Sequence, residues 1–116
     1  MELGIKWYRI NDEKDCVVEC NAEEYIKWSQ QDEGKIRLIA QEDVGKVWIS
    51  TVFLGLDHNY TQDGPPIVFE TMVFARDEED KSINYDELEM KRYSTVQEAK
   101  DGHELMVELC RDKYVN

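Results

Sequence analysis

Three places in the chain carry side chains able to do chemistry. Asp57-His58-Asn59-Tyr60 lies in a stretch that closes with Asp63-Gly64-Pro65-Pro66. A loop holding a carboxylate, an imidazole, an amide and a phenol, stiffened by two prolines, is where a rigid scaffold presents functional groups. The plainer reading makes Asp57 and Asn59 turn formers and His58 a solvated ring. Glu70, followed by Thr71, is the single charge in the strand-like run 67–75. A buried carboxylate without a partner is costly, so Glu70 needs a structural cation or a ligand. The candidate partners are Arg76, Lys91, Arg92, His58 and His103. His103 stands beside Gly102 on the apolar stripe of a C-terminal helix, as a hydrogen-bonded core histidine or as a base.

Enzyme signatures are sparse. Asp57 followed by Glu70-Thr71-Met72 lacks the lysine of a Glu-x-Lys nuclease core. Asp57, His58 and Glu70 can be imagined around a metal, but no helix or hairpin spacing enforces it. The chain has no P-loop, no G-x-G-x-x-G and no G-x-S-x-G. Cys16, Cys20 and Cys110 are an odd number. Cys16 and Cys20, four apart on a strand, would sit about 13 Å apart, too far for a disulfide. All three are expected as reduced, at least partly buried thiols in a cytoplasmic protein. The expectations are no catalytic residues, no metal and no cofactor.

The groups must be positioned by one domain spanning residues 1–116, since the chain has only 116 residues. Lys and Arg number 14 against 26 Asp and Glu, a formal charge of −12. That balance excludes a duplex nucleic-acid binder and disfavours an anionic membrane surface. No apolar run approaches a membrane span, and the start of the chain lacks the features of a signal peptide. The acidic run 77–80, with Asp86, Glu87 and Glu89 behind it, is either a solvated loop or a phosphate mimic facing a basic groove.

Alternation and β-branched residues predict strands over 5–10, 16–20, 35–41, 46–54, 67–75 and 88–93. Residues 42–45 read as a turn, 55–66 as a loop and 76–86 as a polar excursion. Asn21 caps a helix over 22–31 that Gly34 stops. Thr95 with Glu98, or Ser94 with Gln97, opens the last helix, whose stripe is Ala99, Gly102 or His103, Met106, Val107 and Cys110. The order βαββββα, give or take one strand, predicts an α+β fold. It is an antiparallel sheet of four to six strands with two helices, the last C-terminal and packed on the sheet. Residues 46–54 are apolar on both faces, which predicts a homo-oligomer that covers the second face.

Three segments together carry a resemblance: S-T-V-F-L-G-L-D-H-N at 50–59, G-P-P-I-V-F-E-T-M-V-F at 64–74 and R-Y-S-T-V-Q-E-A-K-D-G-H at 92–103. Combined, they resemble a widespread family of small bacteriophage and prophage proteins. Tyr25-Ile26-Lys27-Trp28 is similar to that family's upstream aromatic helix, and Val96 replaces its frequent Trp. The resemblance implies a phage source and action in the host cytoplasm, and brings no established activity.

The resulting expectation is a non-enzymatic binding protein, acting in counter-defence by sequestering a nucleotide-like immune signal. The expected ligand-binding residues are Asp57, His58, Asn59, Tyr60, Glu70, Thr71, Arg92 and His103. Tyr60 would stack, Arg92 would meet phosphate, and Asn59 and Glu70 would read a base edge. The alternative is an acidic inhibitor that binds and blocks a host defence protein. A small metal-dependent hydrolase or nuclease ranks below both.

Overall fold

The computed structural model describes residues 5–61 and 63–115. Strands β1 (Trp7–Ile10) and β2 (Val17–Cys20) form an antiparallel hairpin. Helix α1 (Ala22–Ser29) follows, then a 3₁₀ segment (Gln31–Arg37). Strands β3 (Leu38–Val44), β4 (Val47–Phe53), β5 (Phe69–Arg76) and β6 (Ile83–Tyr93) form a four-stranded antiparallel sheet in chain order. Helix α2 (Val96–Tyr114) closes the fold and packs across that sheet. The class is α+β as expected, with the first two strands split off as their own small sheet. Tyr8 N–H donates to Gly55 O at 2.8 Å, and Trp7 bridges Leu56, so the hairpin hangs on the end of β4.

Both helix starts are set by local chemistry. Asn21 and Glu24 form a reciprocal capping box on α1, and Thr95 and Glu98 form the second on α2. Several boundaries differ from expectation. Helix α1 ends at Ser29, because Asp32, Glu33 and Gly34 all turn left-handed, at φ 52°, 55° and 86°. Strand β3 starts at Leu38 and continues through Glu42–Val44, the stretch expected as a turn. The reversal is Gly45-Lys46, where Gly45 takes φ 57° and Val44 pairs with Val47 across the turn. Strand β6 begins at Ile83 rather than 88, since pairing with Ala75 and Arg76 draws the polar segment into the sheet.

The core lies between the sheet and α2. One cluster joins Tyr8, Ile10, Trp28, Phe53, Phe69 and Ala99, and a second joins Val44, Ile49, Val73, Met106, Val107 and Cys110. Between them runs a polar layer of Thr51, Thr71 and His103, all buried. The opposite sheet face carries Trp48, Ser50, Val52, Glu70, Met72 and Phe74, with no helix of the described residues over it. Cys16 is exposed, correcting the expectation that all three thiols are at least partly buried; it sits in the polar turn before β2. All three cysteines are free thiols.

Candidate functional site

The eight residues singled out in the sequence fall into three separate groups. Asp57, His58, Asn59 and Tyr60 stay together in the β4–β5 loop. Glu70 and Arg92 pair on the open sheet face. Thr71 and His103 are sealed beneath α2. The split follows from strand geometry, because adjacent residues Glu70 and Thr71 must point to opposite faces.

In the loop, two of the four residues work as braces. Asp57 Oδ1 accepts the Asn59 N–H at 2.7 Å and the Ile67 N–H at 2.9 Å, tying the start of the loop to its end. Asn59 donates to the carbonyls of Asp63 and Pro65 at 2.6 and 3.1 Å and accepts from the Thr61 hydroxyl at 2.6 Å. Asp57 Oδ1 and the Asn59 side-chain amide are therefore spent on shaping the loop. His58 and Tyr60 are what the loop presents. The Tyr60 hydroxyl lies 3.2 Å from His58 Nδ1, with the rings edge to face and Tyr60 80% exposed. They border a cleft of about 850 Å³ that Asp57 and Asn59 also line, with Lys6, Tyr8, Leu56 and Pro66 among its other walls. Burial, then the charges of Glu19 and Asp57, hold the Tyr8 phenol above its ordinary pKa, so it stays a neutral donor in that wall.

The buried group is a directed relay. Glu42 Oε1 lies 3.2 Å from His103 Nε2, His103 Nδ1 lies 2.7 Å from Thr51 Oγ1, and Thr51 Oγ1 lies 2.5 Å from Thr71 Oγ1. One ring nitrogen of His103 thus faces the Glu42 carboxylate and the other the Thr51 hydroxyl, which in turn pairs with the Thr71 hydroxyl. A carboxylate, an imidazole and a hydroxyl in series resemble a nucleophilic triad in order. Here, however, Thr51 and Thr71 are 0% exposed and His103 is 3% exposed, so the hydroxyls cannot meet a substrate. The relay satisfies polar groups inside the core. Sequence reading missed Glu42 and Thr51, which reach His103 only through the sheet register and the crossing of α2.

On the open face, Arg92 Nε donates to Glu70 Oε2 at 2.9 Å, choosing one of five candidate partners. In the acidic run, Asp77 Oδ1 accepts the N–H groups of Glu79 and Asp80, Asp80 accepts that of Ser82, and Glu78 pairs with Lys46. These carboxylates build the β5–β6 turn. Among the described residues, no three His, Cys, Asp or Glu side chains gather into a metal site, and no helix is long and apolar enough to cross a membrane.

No family model, curated protein or solved structure matches the chain.

Proposed function

We propose that this protein is a non-enzymatic binding protein that captures a small, nucleotide-like ligand in the cleft beside the β4–β5 loop. The observation that carries the reading is the loop's division of labour. Asp57 and Asn59 hold the backbone, while His58 and Tyr60 stand at the rim of a cleft of about 850 Å³. That volume lies within the range of about 300–1,000 Å³ typical of small-molecule sites. Tyr60 supplies a stacking face, His58 ring nitrogens for hydrogen bonding, Tyr8 a neutral hydroxyl and Lys6, which also pairs with Glu19, a cation. The resemblance to small phage proteins supports a setting in the cytoplasm of an infected bacterium, and an immune nucleotide signal is the ligand proposed for that setting. The direct test is retention of nucleotides by protein purified from infected cells, released by denaturation and identified by mass. His58→Ala and Tyr60→Ala should each lose the ligand at unchanged melting temperature; retention by both variants would remove the loop from the site.

A protein partner is the second reading, and one observation favours it. The open sheet face exposes Tyr85 and Met90 and half-buries Trp48, Val52 and Met72. A second copy or a host protein seated there would cover them. Light scattering at tens of micromolar separates these outcomes: a homodimer supports self-association, and a clean monomer leaves the face to a host partner. The acidic run contributes less to this reading than its charge implies, since Asp77 and Asp80 accept backbone N–H groups in the turn and Glu78 pairs with Lys46.

A further inference from the structure

The lysines are unevenly used. Lys6, Lys27, Lys46 and Lys113 hold ion pairs with Glu19, Glu23, Glu78 and Glu89. Of the five other lysines, none in an ion pair among the described residues, Lys14, Lys35 and Lys100 line one cleft of about 350 Å³. They come from three distant parts of the chain: the β1–β2 turn, the 3₁₀ segment and α2. Beneath them the wall is apolar, built from Ile10, Trp28, Ile36, Ile39 and Val96. Val96 is also the first residue of the 19-residue α2, whose N-terminus is already closed by Thr95 and Glu98, so the lysines are the cations left to meet an anion.

Other charges at the cleft are partly committed elsewhere. Asp12 lies 3.9 Å from Arg9, and Asn11 is held by hydrogen bonds to Asp15 and the Cys16 N–H. Asp32 is the remaining carboxylate in the wall. Asp15 stands outside it, its carboxyl held below the ordinary range first by Asn11, with Lys100 a smaller contributor. Lys14 and Asp32, two of the four described non-glycine residues at positive φ, both line the cleft. The lining sets Lys14, Lys35 and Lys100 against Asp12 and Asp32, a formal surplus of 3 − 2 = +1 beside an apolar wall in a chain of charge −12, and that local surplus suits a bound anion.

We propose that this cleft binds a phosphate monoester of a flat, apolar group. The phosphate meets Lys14, Lys35 and Lys100, and the ring lies against Ile36, Ile39 and the edge of Trp28. The site is independent of the loop cleft, with which it shares no lining residue.

The test uses 1-naphthyl phosphate titrated into the full chain, followed by equilibrium dialysis and by the Trp28 indole resonance. The expected result is one saturable site of submillimolar Kd that weakens with salt and shifts the Trp28 signal. Lys35→Glu with Lys100→Glu should raise Kd about tenfold or more, the scale of losing charge-assisted contacts. Lys14→Asn, which keeps a residue tolerant of left-handed backbone, should weaken binding to a smaller degree. His58→Ala and Tyr60→Ala should leave Kd unchanged. Inorganic phosphate alone and 1-naphthol alone should each bind more weakly. No saturation at millimolar probe, an unmoved Trp28 resonance, or affinity untouched by the lysine variants would overturn the proposal. Equal affinity for inorganic phosphate would overturn the apolar half of it.

Discussion

The Tyr93 ring occupies the space that a Cβ on Gly102 would need. The Tyr93 side chain, at the end of β6, thereby lies directly against the Gly102 backbone in the second turn of α2, and His103, the next residue, is aimed into the polar layer. Burial holds the Tyr93 phenol above its ordinary pKa, with the Thr71 side chain a smaller, opposing contributor.

Gly102→Ala should therefore destabilise, although Ala favours an exposed helix interior by up to about 1 kcal/mol over Gly. The overpacking cost expected against Tyr93 is about 1–3 kcal/mol. Urea denaturation measures it, and the loss should shrink in a Tyr93→Leu background because the two sites share one contact. A midpoint at or above that of the parent would contradict the contact.

Asp57 and His58, adjacent in sequence, should respond oppositely. Asp57→Ala leaves two backbone N–H groups without their acceptor and should cost about 1–3 kcal/mol. His58→Ala removes a presented ring and should stay within about 0.5 kcal/mol. Paired thermal melts read the difference; equal losses would mean that His58 also braces the loop.

The Glu70–Arg92 pair makes an asymmetric prediction. The Glu70 side chain is 10% exposed and that of Arg92 is 36% exposed. Arg92→Leu strands a buried carboxylate, whereas Glu70→Gln leaves a guanidinium that can still reach water. The first should cost about 2 kcal/mol, less than a fully buried pair because Arg92 is part-solvated, and the second about 1 kcal/mol. Denaturation at neutral pH orders the two variants.

The thiols should react in order of burial: Cys16 first, Cys20 more slowly, and Cys110 only on unfolding. Even Cys16 should lag a free thiol, because its hydrogen bond with Asp15 and that residue's charge raise its pKa. Burial, and then the charge of Glu89, raise the Cys110 thiol above its ordinary 9.0. The folded state thus retains a proton that the unfolded state releases, so stability falls as pH rises above about 9. Cys110→Val should flatten that alkaline loss in urea titrations at pH 8 and pH 10. An unchanged slope would assign the loss to Tyr8 and Tyr93, whose phenols are also raised by burial.

Sequence alone determined what depends on neighbours within a turn or a strand. Both caps, at Asn21 and Thr95, the buried stripe from Ala99 to Cys110, and the two-sided apolar character of β4 follow from side-chain chemistry and period. The loop residues Asp57 to Tyr60 stayed together for the same reason. Tertiary structure alone decided which face Glu70 took, that Arg92 was its partner, and that His103 met Thr51, 52 residues away. It also converted Glu42–Val44 from turn to strand and brought Lys14, Lys35 and Lys100 to one cleft. Capping and periodicity are local energies written in adjacent side chains. Register and layer contacts join residues far apart, and their free energy appears only when the whole sheet and α2 assemble.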